Sequence, residues 1–444
     1  MTASDNPQIS KTTSSAEGFE QSSDAFWLSD LWRERILKLT VNGLLFNALL
    51  ALSLSRGFYD STMSSAYLAL ALFSGLIVLG MIRRAWMDLL WVTAGTLLLY
   101  VLDYRVMHFN HVFMAGFSFA GLSSLAVLGT RTVWAEGEER RDLLYGFVPV
   151  LLFITSEWFA TTLLDFTEWL HPKTFDLFLY SFDASLGVPT SFLIGRGFWT
   201  IPYLRTTSML FYIALPLPLA LVYAGHVRRQ KAMAVSTMAA FLFTGPVGVI
   251  LYNILPACGP VHIFGAAFPF HPPAMADVMR MQVVPILMKG ARNAIPSLHM
   301  TWVLLIWYNS RKLPRWIRSI AMAFVVFTFL ATLGSGEHYF VDLVVAFPFS
   351  LMMQAISSFS LPFRSRERRI AILFGAALTL TWVGLLSFAN KLFWISPIIP
   401  WAMVAATVSS SLVLWQRLLR VSFSDNSVDA KALPARAMVA GAGA

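Results

Sequence analysis

Residues 316–356 read WIRSIAMAFVVFTFLATLGSGEHYFVDLVVAFPFSLMMQAI. Two apolar runs flank a short polar turn, Gly334-Ser335-Gly336-Glu337. A helix needs roughly 20 apolar residues to cross the hydrocarbon core of a bilayer, so the stretch predicts spans over 316–333 and 338–359. Runs of the same kind recur near 36–55, 64–82, 86–104, 112–130, 144–164, 206–224, 233–255, 298–310, 370–389 and 397–415. Over its 444 residues the chain is 57% hydrophobic and 13% charged. That is about half the charge of a soluble globular protein, which is roughly 25%; the mean hydropathy is +0.64. These values exclude a water-soluble enzyme and predict an all-α polytopic transmembrane bundle of about 12 spans.

The net charge of +9 comes from 33 Lys and Arg against 24 Asp and Glu. On a soluble chain this would raise the question of nucleic acid, but here the basic residues sort by loop. Arg83 and Arg84; Arg131, Arg140 and Arg141; Arg228, Arg229 and Lys231; Arg311, Lys312, Arg315 and Arg318; and Arg364, Arg366, Arg368 and Arg369 fall on every second connection. Cytoplasmic loops accumulate Lys and Arg, so both tails are expected in the cytoplasm, and a nucleic-acid partner is not. The alternate loops, including 165–205, 256–297 and 334–337, then face outward, in a plasma or inner membrane. The single cysteine, Cys258, forbids an internal disulfide and an all-cysteine metal site. The first 30 residues lack a basic segment followed by an apolar one, so no cleaved signal peptide is expected.

The expected organisation is a disordered cytoplasmic tail over 1–35, four transmembrane helices over 36–140, a core over 141–362, two helices over 363–420 and a second disordered tail over 421–444. Two outward loops exceed the length of simple connectors, since loops above about 12–15 residues are usually functional or disordered. The first carries TFDLFLYSFDASLG (174–187), expected as short amphipathic helices at the interface. The second carries PACGPVHIFGAAFPFHPP and KGARNAIPS, and its aromatic content argues against disorder.

Two histidines stand where an outward loop enters an apolar helix: His299 in Ile295-Pro296-Ser297-Leu298-His299, and His338 in Glu337-His338-Tyr339-Phe340-Val341-Asp342. Pro and Ser favour the first helical turn, whose free N–H groups attract an anion. Lys289 and Arg292 add cations upstream, completing a phosphate cradle. His338 and Asp342 are four apart, so on a helix they share a face. The carboxylate is expected to accept Nδ1–H and leave Nε2 free as a nucleophile, with Glu337 positioning a hydroxyl or accepting its proton. Gly334 and Gly336 permit close backbone approach. Nucleophile, orienting acid, second histidine and anion clamp together suit phosphoryl transfer. Asp165, Glu168, Asp176 and Asp183 are expected on a solvated face, and His108, His111, His171 and His226 in structural hydrogen bonds. No compact metal-ligand spacing is present, so no metal or other cofactor is expected.

At these residues the sequence resembles the type 2 phosphatidic acid phosphatase superfamily, and more closely its inositolphosphotransferase branch, which includes inositol phosphorylceramide synthases. The resemblance rests on Pro296-Ser297-Leu298-His299 and Glu337-His338-Tyr339-Phe340-Val341-Asp342-Leu343. Tyr252-Asn253-Ile254-Leu255-Pro256-Ala257-Cys258-Gly259-Pro260 and Phe182-Asp183-Ala184-Ser185-Leu186-Gly187 support it, over about 141–360. It implies a six-helix core, an outward-facing site and no metal. It also implies that His338 forms a phosphohistidine, Asp342 orients it, His299 protonates the leaving group, and Lys289, Arg292 and Ser297 hold phosphate. The pattern departs from the phosphatases where Thr332 stands in place of an arginine and in the close spacing of Lys289 and Arg292.

The expected function is therefore a lipid phosphotransferase acting on membrane lipids. A lipid phosphate phosphatase shares every named residue and differs only in using water as acceptor. A lipid transporter or flippase is the reading from another class, which Glu157, Pro216 and Pro218 leave open. A topology reporter fused after Gly265 is expected to read as external; a cytoplasmic reading would move the site to the other face.

Overall fold

The computed structural model describes residues 66–83, 85–102, 112–280, 282–286 and 289–439. The expected tail 1–35 and first span 36–55 lie outside these residues, as do His108, His111 and the side chain of Glu157. The fold is all-α. Its helices are α1 (Ala66–Ile82), α2 (Trp86–Leu102), α3 (Val112–Trp134), α4 (Gly137–Leu170), α5 (Asp176–Ser185), α6 (Thr190–Thr200), α7 (Pro202–Ile213), α8 (Pro216–Val227) and α9 (Lys231–Ile254). They continue as α10 (Pro260–Phe264), α11 (Met275–Met279), α12 (Leu298–Asn309), α13 (Arg315–Ser335), α14 (Phe340–Ile356), α15 (Arg366–Phe388) and α16 (Ile398–Val439). A two-residue ladder, β1 (Lys173–Thr174) with β2 (Val284–Pro285), is antiparallel and joins the two long loops.

Among the described residues four helices, α9, α13, α15 and the Ile398–Ser422 part of α16, are long and apolar enough to cross a membrane. The number rises to six if each of two bent pairs counts as one span. The sequence pattern suggested about twelve; three further apolar helices, Ala66–Ile82, Trp86–Val101 and Phe340–Ile356, are shorter, at 10–17 residues. The expected span 206–224 is broken between α7 and α8 by 47°, where Pro216 and Pro218 enter. The expected span 298–310 is α12, only 12 residues long, or about 18 Å. The segment expected at the interface, 174–200, is α5 and α6, bent by 89° and together apolar enough for a broken span or a re-entrant loop. Beyond 421, where a tail was expected, α16 runs on to Val439.

The inner helices are α12 and α14, buried nearly all round: α14 hides Val341, Leu343, Val344, Val345, Ala346, Phe349, Leu351 and Met353. A helix apolar on every side is one enclosed by others. Outer helices show a stripe instead. On α15, Ala371, Gly375, Thr379, Trp382 and Leu386 are buried, while Leu373 and Leu380 on the opposite face are 69% and 53% exposed, as lipid-facing side chains would be.

At one end of this bundle the loop 255–297 is ordered by packing and by backbone hydrogen bonds. Tyr180 of α5 meets Phe192 and Phe264 edge-on at 5.4 and 5.2 Å. Phe175 N–H donates to Pro256 O (2.8 Å), Ala294 N–H to Ala257 O (2.9 Å), Val261 N–H to Gly336 O (3.0 Å) and Ser297 N–H to Asp342 O (3.2 Å). The loop thereby lies across the starts of α5, α12 and α14.

Two glycines make that contact possible. Gly336 ends α13 in the left-handed region, at φ 84°. Gly259 adopts φ 115°, and a Cβ there would stand 2.3 Å from the Glu337 carbonyl oxygen. Gly259→Ala is expected to cost about 3 kcal/mol or more in stability, read from unfolding of the detergent-solubilised protein. An unchanged midpoint would contradict this close approach.

Candidate active site

His338 sits immediately before α14, whose N-cap is Tyr339. Its ring is 2% exposed, and Nδ1 lies 2.9 Å from the carbonyl oxygen of Ala294, so Nδ1–H donates there and Nε2 is the free nitrogen. Asp342 was expected to accept that proton. Instead its Oδ2 accepts the Tyr339 N–H at 2.7 Å and lies 3.4 Å from His338 Nδ1. The reason is where the helix begins. The i, i+4 argument places both residues on one helical face, but His338 precedes the helix and Asp342 occupies its third position, where a carboxylate turns back to the N-cap. Asp342 therefore contributes negative charge beside the imidazole, and the loop carbonyl supplies the hydrogen bond.

His299 lies in the first turn of α12 and is partly exposed. Its ring stacks on Tyr212 at 4.0 Å between centroids, with Nδ1 3.0 Å from the Tyr212 hydroxyl. Ser297, two residues before it, donates its N–H to Asp342 O (3.2 Å), so the starts of α12 and α14 adjoin. The structure thus brings the two sequence-predicted histidines to one place. Ser297 is fully buried, and its hydroxyl accepts the Met300 N–H at 3.4 Å. It caps α12.

The two cations part company. Lys289 is exposed. Arg292 is 2% exposed: its Nε donates to His171 O at 2.7 Å, a terminal nitrogen donates to Gly290 O, and its backbone N–H donates to Thr167 Oγ1 at 3.1 Å. Much of Arg292 therefore ties the loop to the end of α4 rather than pointing at solvent. Thr332 donates to Thr328 O within α13. Glu337 is half exposed and pairs with His262, Nε2 to Oε2 3.3 Å. Burial pulls the His262 pKa down, but the hydrogen bond and charge of Glu337 outweigh it and hold it above its ordinary value of 6.5. The charged pair accordingly survives above pH 6.5 and is lost as pH rises through the raised value.

Asp176 and Asp183 overturn the expectation of a solvated face; both are completely buried, whereas Asp165 is exposed. Asp176 accepts hydrogen bonds from Gly259 N–H (2.8 Å), Cys258 N–H (3.1 Å) and the Tyr339 hydroxyl (3.0 Å). Asp183 accepts from Phe340 N–H (3.0 Å) and Ser191 N–H (3.2 Å), so one carboxylate satisfies the first turns of both α14 and α6. A signal was present in the sequence: two carboxylates seven apart in an apolar, aromatic run lie on one helical face. An uncharged surround makes such groups costly unless hydrogen-bonded. His171 bonds Asn253 Oδ1 (3.0 Å) and His226 bonds Asn309 O (2.7 Å), as structural histidines do. Among the described residues no three His, Cys, Asp or Glu side chains gather as metal ligands.

This arrangement, a buried histidine with a free Nε2 next to a second histidine at the end of an apolar bundle, coincides with a family match. Residues 177–356 match the family model described as the PAP2 superfamily. The match supports the superfamily resemblance and takes in Asp183, His299, His338 and Asp342. No curated protein matches the chain, and no solved structure does.

Asp176→Ala would strand three donors, each abandoned buried donor costing about 1–3 kcal/mol. The expected outcome is a fall in unfolding midpoint well beyond that of Tyr339→Phe, which removes one of the three bonds, with no change in Asp165→Ala.

Proposed function

We propose that the protein is an integral membrane lipid phosphotransferase that moves a phosphoryl-linked head group between alcohols through a phosphohistidine at His338. The observation that carries this reading is the His338 Nδ1 contact with Ala294 O, which leaves Nε2 as the nucleophile. His338 Nε2 attacks phosphorus, and the bond to the leaving oxygen breaks. His299 gives that oxygen a proton, then takes one back from the incoming hydroxyl as the P–N bond breaks and its electron pair returns to Nε2. Asp342 stabilises the positive imidazole at 3.4 Å. Lys289, exposed at the loop, meets phosphate oxygens, and Arg292 adds charge from beneath. Glu337, half exposed beside His262, faces the incoming hydroxyl. The inositolphosphotransferase-like form Glu-His-Tyr-x-x-Asp favours an alcohol over water as acceptor.

In this reading the site faces away from the cytoplasm, and the substrates are membrane lipids. The phosphatase alternative uses the same residues with water. Labelled lipid phosphate supplied with and without a candidate lipid alcohol separates them: transfer predicts labelled lipid product only when alcohol is present, and free phosphate in both cases sinks it. Acid-labile labelling of the protein is expected to vanish in His338→Ala. A His338→Ala protein that still moves lipid across the bilayer, with no labelling in the parent, would favour the transporter class.

A further inference from the structure

We infer that Tyr212 is a positioning residue for His299: its hydroxyl oxygen accepts the Nδ1 proton and thereby keeps Nε2 as the nitrogen that exchanges protons with substrate. The inference rests on the phosphohistidine reading above and deepens it.

Three observations converge on the His299 ring. Tyr212 Oη lies 3.0 Å from Nδ1. The two rings are stacked at 4.0 Å and 20°, so the contact is held across a whole face. Trp302 closes another side edge-on at 5.5 Å and is itself fixed, stacked on Phe241 at 4.9 Å and donating Nε1–H to Phe241 O at 3.1 Å. Tyr212 is fixed in turn. It precedes the 47° break between α7 and α8, and its neighbour Phe211 packs on Phe324 and Phe327 of α13 at 4.7 and 4.5 Å. The imidazole is therefore clamped in position by rings, with one hydroxyl at Nδ1.

The chemistry requires such an oxygen. When the leaving alkoxide departs, its electron pair takes the Nε2 proton of the imidazolium, which must then hold its remaining proton on Nδ1. Only that neutral tautomer has a bare Nε2 to receive the proton of the incoming hydroxyl. With its own proton turned away from Nδ1, the Tyr212 hydroxyl oxygen serves as that acceptor in both states. His338 uses a different acceptor for the same purpose, the Ala294 carbonyl.

Tyr212→Phe keeps the stacked ring and removes the acceptor. The test compares first-turnover labelling from two donors, radiolabelled phosphatidate in detergent micelles and 4-nitrophenyl phosphate. The alkyl leaving group needs a proton and the aryl oxyanion does not. General acid catalysis contributes about 10²–10⁴-fold. The variant is expected to lose about 10- to 100-fold with phosphatidate and less than about threefold with the aryl donor, with His299→Gln showing the same asymmetry more strongly. Equal losses with both donors would mark a merely structural tyrosine and overturn the inference, as would no loss with phosphatidate. A parent protein that takes no label at His338 from either donor would overturn the phosphohistidine reading and this inference together.

Discussion

The Asp176 carboxylate is the contact on which the site depends. It is completely enclosed, and the N–H groups of Cys258 and Gly259 and the Tyr339 hydroxyl donate to it. A buried carboxylate is tolerated only when hydrogen-bonded, so α5, the Cys258-Gly259 turn and Tyr339 must come together at once. Gly259 in turn lies against the backbone of Gly336 and Glu337. Through these contacts a loop that sequence alone leaves free becomes the wall from which Ala294 reaches His338.

The site occupies a bundle end because helix starts leave N–H groups without partners. Each start is satisfied by a different device: α12 by the Ser297 hydroxyl, α14 by Asp342 and Asp183, α6 by Asp183 again. The polar groups that finish the helices thus also frame the two histidines. Most of the rest of the bundle is apolar, with Leu373 and Leu380 of α15 turned outward. Scarce charge in such a chain is informative, since an ionisable group among apolar helices is costly unless it has a partner or a task.

Much of the site was legible from one-dimensional patterns. Pro-Ser-x-His and Glu-His-Tyr-x-x-Asp mark helix starts, and the structure places His299 and His338 near each other. The roles of Asp342, Ser297 and Arg292 were less legible. A spacing rule assumes that both residues lie on a helix, and His338 lies just outside one. A hydroxyl beside a helix start serves the cap first, and an arginine near a loop serves carbonyls that no motif records. Asp176 and Asp183 were misjudged because burial depends on what the 255–297 loop covers.

The sequence by itself determined an all-helical membrane protein with two histidines at helix starts, because apolar periodicity and helix-terminal chemistry are local properties. Only the tertiary structure decided which groups hold those histidines: the Ala294 carbonyl 44 residues from His338 and the Tyr212 hydroxyl 87 residues from His299. Backbone carbonyls and tyrosines look alike everywhere along a chain, so their selection rests on packing between distant segments rather than on residue type.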